Sequence, residues 1–238
     1  MTRKLIVGNW KMNGNRESIK ALLAEIVAAD CEATVCVPHP YLALCAHLVA
    51  GSNIRLGGQD LSAHTAGAYT GEVSAAMLQE FGCAYVLVGH SERRVYHAES
   101  DAVIAGKTQR AVDAGLIPIV CIGETLHERQ SGQTEAVLAR QLQALPFAEL
   151  GNIIIAYEPI WAIGSGASAS PEVAQHAHAM IRSRVDAATK ILYGGSVTAS
   201  NAASLLAMPD IDGALIGGAS LHAKDFLQIA QMGQRRAA

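Results

Sequence analysis

The chain has 238 residues, 50% of them hydrophobic, 16% charged and 5% aromatic, with a formal net charge of −3. This composition excludes a disordered chain, and the interspersed charges leave neither a basic stripe for nucleic acid nor a polybasic patch for anionic lipid. The length fits one closed α/β barrel domain over residues 1–238, for which about 250 residues is typical, and the Val, Ile and Ala content fits the aliphatic layers that fill such a barrel.

Short apolar, β-branched runs alternate with helical patterns along the chain, which predicts βα units around a parallel sheet. Eight runs read as strands: residues 5–8, 34–37, 54–57, 85–89, 117–122, 153–157, 191–194 and 213–217. Helical patterns cover residues 17–29, 41–50, 101–114, 134–144, 171–187, 201–207 and 224–232, and a further helix starts after His90. Eight strands close a barrel. An open doubly wound sheet would carry Gly-x-Gly-x-x-Gly after its first strand, but Gly8 is followed by Asn9-Trp10-Lys11.

In a barrel of this kind chemistry sits at the C-terminal ends of the strands. Few polar residues fall there: Asn9 and Lys11 after the first strand, Gly89-His90-Ser91-Glu92 after the fourth and Glu158 after the sixth. The seventh contributes Gly194-Gly195-Ser196 and the eighth Gly217-Gly218-Ala219-Ser220. Glu158 ends an apolar strand and is backed by Pro159 and Trp161, so desolvation is expected to raise its proton affinity toward that of a general base. The competing reading is a solvated cap on an ordinary loop. The apolar stretch from Ala162 to Gly166 must cross the surface before the helix near Pro171, which suggests a hinged flap.

The two glycine pairs leave backbone N–H groups unobstructed before helical segments, an arrangement that binds phosphate, although paired glycines also make plain tight turns. His90 opens a helix whose positive end disfavours imidazolium, so it reads either as a neutral hydrogen-bond donor or as a satisfied core histidine. Lys11 reads either as a solvated surface lysine, the default for its type, or as a functional cation, because it follows a buried strand and a Trp.

Cys31, Cys36, Cys45, Cys83 and Cys121 form no Cys-x-x-Cys pair, and an odd number in apolar segments predicts reduced core thiols in a cytoplasmic protein. The chain passes from Lys4 straight into a strand-like run without a secretory hydrophobic region, and no apolar stretch reaches about 18 residues, so neither export nor membrane spanning is expected. His176 and His178 are two apart and face different sides of a helix, which does not suit a metal site.

Seven blocks, in order, carry a resemblance along essentially the whole chain: Gly8-Asn-Trp-Lys-Met-Asn13, Gly67-Ala-Tyr-Thr-Gly-Glu-Val-Ser74, Val88-Gly-His-Ser-Glu-Arg-Arg94, Cys121-Ile-Gly-Glu-Thr125, Ala156-Tyr-Glu-Pro-Ile-Trp-Ala-Ile-Gly-Ser-Gly166, Tyr193-Gly-Gly-Ser-Val197 and Leu215-Ile-Gly-Gly-Ala-Ser-Leu221. With these blocks the sequence resembles the triosephosphate isomerase family. The resemblance implies a (β/α)8 TIM barrel, a homodimer, and cofactor-free interconversion of dihydroxyacetone phosphate and D-glyceraldehyde 3-phosphate in glycolysis and gluconeogenesis. It makes Glu158 the base, His90 the electrophile, Lys11 the cation that holds the substrate anion, Asn9 an oxyanion-side donor and Glu92 the acid beside Lys11. Gly164, Ser196, Gly217 and Gly218 match phosphate-gripping positions, and Thr70 matches the tip of a loop at residues 63–72 that reaches a second subunit beside Asn9, Lys11 and Met12. The family is itself a familiar example of such pKa tuning and loop gating.

Departures are mild: Ser165 stands where the family often has threonine, and Ala167 where many members have lysine. Two rivals share the fold. A Schiff-base aldolase needs a desolvated lysine in mid-barrel, whereas Lys190 starts the seventh strand at the barrel floor. A non-catalytic phosphate-binding barrel would not need Glu158 and His90 together with an apolar flap.

Overall fold

The strands β1 (Leu5–Asn9), β2 (Ala33–Cys36), β3 (Ile54–Gly58), β4 (Cys83–Val88), β5 (Ile117–Ile122), β6 (Ile154–Tyr157), β7 (Lys190–Tyr193) and β8 (Gly213–Ile216) pair in parallel in chain order. Because β1 also pairs with β8, the sheet has no edge and closes into a barrel. The computed structural model describes residues 3–145, 151–163 and 168–234. Around the barrel run the helices α1 (Arg16–Ala28), α2 (Leu42–Val49), α3 (Ala75–Glu80), α4 (Ser91–Tyr96), α5 (Asp101–Asp113), α6 (Leu126–Gln130), α7 (Thr134–Gln143), α8 (Pro171–Arg182), α9 (Ala202–Leu206) and α10 (Ala223–Gln234). The architecture is the (β/α)8 barrel that the alternation predicts.

Strand alternation sorts the core into two layers. Val7, Cys36, Leu87, Ile119, Cys121 and Leu192 cluster together inside the barrel. Their neighbours Ile6, Val35, Val86, Val120, Ile155 and Ile191 belong to the larger cluster between sheet and helices. Each such side chain contributes roughly 1.5–3 kcal/mol relative to exposure, so β-branched strands buried on both faces carry much of the fold. All five cysteines are free and buried, as expected for core thiols. Among the described residues no helix is long and apolar enough to cross a membrane, and no group of three or more His, Cys, Asp or Glu could hold a metal ion.

The strands lie within two residues of their predicted ends, but the helices differ more. α8 stops at Arg182 rather than continuing to residue 187, because the Arg182 guanidinium reaches back to the Thr189 carbonyl and the Asp212 carboxylate, which requires the chain to turn after Ser183. α3 and α6 were not predicted as helices. They have six and five residues, too few turns for an apolar period to emerge. Their caps were the visible signal: Ser74 caps α3, and Thr125 with Glu128 forms a capping box on α6.

Candidate active site

The strand ends converge on a cavity of about 320 Å³ lined by Asn9, Lys11, His90, Glu158, Ser196, Gly217 and Gly218, together with Ile163. Gly164, like Ser165 and Gly166 of the expected flap, lies outside the described residues. Glu92 lines the adjoining cavity and reaches the first through Lys11, whose Nζ is 2.5 Å from Glu92 Oε1. Thr70 is exposed, as is the rest of residues 64–72, and Tyr69 stacks on His64 with ring centroids 3.8 Å apart.

Glu158 follows β6 and is 2% exposed, so its carboxylate depends on the groups around it. Oε2 accepts the Ser91 backbone N–H at 2.8 Å, and Oε1 lies 3.0 Å from His90 Nε2. That second contact is off the hydrogen-bond axis, because Oε1 has no hydrogen-bond partner. Burial pushes the Glu158 carboxyl up, as expected from the sequence. The His90 contact and the Ser91 donors outweigh it and hold the group below its ordinary value, which corrects the expected direction. The glycines nearby make room for this packing. A Cβ on Gly123 would fall 1.7 Å from the Glu158 carbonyl oxygen, and one on Gly194 would fall 3.0 Å from Glu158 Cγ.

His90 caps α4 with its own ring, Nδ1 accepting the Glu92 N–H at 3.2 Å. A nitrogen that accepts must keep its lone pair, so the proton of a capping imidazole sits on Nε2, the atom facing Glu158 and the cavity. Burial lowers the proton affinity of His90, but Glu158 and Glu92 overcome it and set the net direction upward, contrary to the expectation from the helix end alone. The cap resists that rise, because a second proton would break the Nδ1 hydrogen bond and face the positive end of α4.

Lys11 holds a left-handed backbone with φ 51, a conformation that costs a non-glycine residue free energy and that clusters at functional sites. It is fixed from both sides: Lys11 N–H donates to Asn9 Oδ1 at 2.9 Å, and Gln59 Nε2 donates to the Lys11 carbonyl at 2.8 Å. With Oδ1 engaged, Asn9 keeps its Nδ2 donors for the cavity. The glycine turns differ from each other. Gly218 opens a single turn of 3-10 helix, Gly218–Leu221, and a Cβ there would meet nothing within 4 Å. Gly195 precedes α9 by several residues, so the expected helix end is absent at β7, and a Cβ on it would strike the Tyr193 hydroxyl at 2.3 Å.

Three contributors had no role in the sequence reading: Ser91, Gln59 and Glu124. Glu124 is fully buried, and its Oε1 accepts from Tyr157 Oη at 3.1 Å, Trp161 Nε1 at 3.0 Å and Arg129 Nη1 at 3.3 Å. Arg129 also lies 4.6 Å over the Trp161 ring. This knot ties down the segment that leads into the expected flap. A lone carboxylate just after the apolar run of β5 was the available signal.

The family model for triosephosphate isomerase matches residues 4–233. A triosephosphate isomerase from Herminiimonas arsenicoxydans is 56% identical over 96% of this chain and 98% of its own length. One from Bordetella pertussis is 57% identical over 95% and 96%. A solved triosephosphate isomerase from Bartonella henselae superposes with a TM-score of 0.89 at 44% identity, covering 98% of this chain and all of that one. The match in sequence and in fold over nearly the full length places the chain in the triosephosphate isomerase family.

Proposed function

We propose that the chain interconverts dihydroxyacetone phosphate and D-glyceraldehyde 3-phosphate by proton transfer through an enediolate, without a cofactor. Glu158 removes the proton from one carbon and returns it to its neighbour. A proton α to a carbonyl is too weakly acidic for an unaided carboxylate, so His90 Nε2–H, Asn9 Nδ2 and the Lys11 ammonium stabilise the charge that develops on oxygen. The N–H groups around Ser196, Gly217 and Gly218, with Gly164, hold the phosphate, and Glu92 orients Lys11. The observation that carries this reading is the buried Glu158 carboxylate 3.0 Å from His90 Nε2 in the cavity that Lys11 and Gly218 also line. The base is engaged by Ser91 and His90, so it must exchange those partners for substrate before it can act.

The same reading makes the chain a single barrel domain over residues 1–238 and a cytoplasmic homodimer, with Thr70 at the tip of the contact loop. What supports the dimer is the exposure of Met12 and Tyr96, 96% and 79%, at the mouth of the cavity that Glu92 lines. The aldolase alternative is not favoured, since Lys190 lines the floor and Lys11 is engaged with Glu92.

Glu158→Gln in a coupled turnover assay tests the assignment. The amide fills the same space but cannot take the proton, so kcat should fall by about 10²–10⁴ with a much smaller change in KM. Near-parental turnover would remove Glu158 from the mechanism.

A further inference from the structure

The opposite end of the barrel, where the strands begin, carries charge that the reaction does not use. Arg55 on β3 and Lys190 at the start of β7 stand half a barrel apart, and both line a cavity of about 90 Å³ with Arg3, Lys4, Thr34 and Tyr85. Residues two apart on a strand face the same way. Thr34, Tyr85 and Lys190 therefore lie one step below Cys36, Leu87 and Leu192 of the interior cluster, and Thr34 is in register with Arg55. The lowest interior layer is thus partly cationic, where aliphatic side chains usually fill a barrel.

Four cations line this cavity against one carboxylate, Glu32, which is already paired with Arg3. Lys4 is partly committed, its ammonium donating to the Ile211 carbonyl, and burial pulls its proton affinity below the ordinary value. Burial also pushes the Tyr85 phenol up, leaving a neutral hydroxyl donor. Arg55 and Lys190 make no ion pair among the described residues and are exposed enough to be reached from solvent.

We infer that the barrel floor is a second anion site, built for one small tetrahedral oxyanion of the inorganic phosphate class held between Arg55 and Lys190. The volume decides against larger ligands, since the mouth cavity proposed for a triose phosphate is more than three times as large. Four oxygens suit a guanidinium fork, an ammonium and the hydroxyls of Thr34 and Tyr85 better than the two of a carboxylate. Favourable contact with helix C-termini accounts for exposed cations at this end of a barrel, but not for their interior register or for the cavity between them. An anion bound only by the folded chain stabilises it by mass action, so the floor couples stability to phosphate concentration.

Calorimetric titration with inorganic phosphate at constant ionic strength tests this. The unmodified chain should bind two phosphates, one at each end of the barrel. Arg55→Gln with Lys190→Gln should keep kcat and KM but weaken the floor site by roughly ten-fold per lost charged contact. Lys11→Met should weaken the mouth site and leave the floor site intact. A single phosphate per chain, sensitive to Lys11→Met and indifferent to the floor substitutions, overturns the inference. Should the double variant not fold, crystals of the unmodified chain soaked in selenate decide the matter: an anomalous peak at the floor supports the site, and its absence overturns it.

Discussion

The Ser91 backbone N–H donates to Glu158 Oε2 at 2.8 Å, so the first turn of α4 grips the carboxylate presented by β6. The grip stabilises the ionised form and offsets the burial that would protonate it. Ser91→Pro deletes this donor with little backbone cost. Proline is favoured in the first turn of a helix, and the preceding His90, at φ −49 and ψ 143, already has the extended conformation that proline requires. Losing a donor to the carboxylate raises its pKa. The acid limb of kcat/KM should therefore move to higher pH, while Ser91→Ala, which keeps the N–H, should shift it less. An unmoved limb in the proline variant would separate Ser91 from the base.

Lys11 combines charge with a left-handed backbone. Lys11→Met should weaken a phosphate-bearing inhibitor and reduce turnover together, because the cation serves both ground and transition states. Lys11→Gly loses the same charge but relieves the backbone, so it should resist denaturant better than Lys11→Ala by about 1 kcal/mol. Equal stability of the two variants would mean that residue 11 carries no strain.

His178 is buried on α8, with Nδ1 3.1 Å from the Asp210 carbonyl and Nε2 without a partner. Burial pulls its pKa from 6.5 down to about 4. Between those values the unfolded chain binds a proton that the folded chain refuses. Stability is therefore complete above about pH 6.5 and declines as pH falls toward 4, by roughly 3 kcal/mol in all. His178→Gln should flatten this part of the stability profile, measured by urea unfolding at a series of pH values. A slope unchanged by the substitution would assign the decline to other groups.

The loop at residues 63–72 is longer than the roughly 2–6 residues usual for a βα connection. In the proposed homodimer, replacing residues 64–71 by a tight turn should give a monomer that keeps the barrel and loses most activity, because Asn9 and Lys11 would lose the support proposed to come from a second subunit. Light scattering and turnover belong on the same sample. A fully active monomer would show that the contact does not organise the site, and a surviving dimer would put the interface elsewhere.

The strands and the residues at their ends were legible because both are local. A β-branched run of four to six residues, buried on both faces, is nearly continuous in apolar character, and eight such runs separated by helical patterns leave few topologies. Asn9, Lys11, His90 and Glu158 stood out as polar residues at the ends of those runs, and the motifs around them carried the family. The protonation balance was not local. Whether Glu158 is pushed up or held down depends on Ser91 and His90, 67 and 68 positions away along the chain and brought to it only when β4 and β6 share one barrel mouth. The Gln59 contact with the Lys11 carbonyl and the Glu124 knot beneath Trp161 were likewise hidden, since each joins segments that only pairing of the strands in the sheet makes neighbours. Apolar periodicity is written into consecutive residues, whereas the field at a buried carboxylate is a sum over groups that only the tertiary fold assembles.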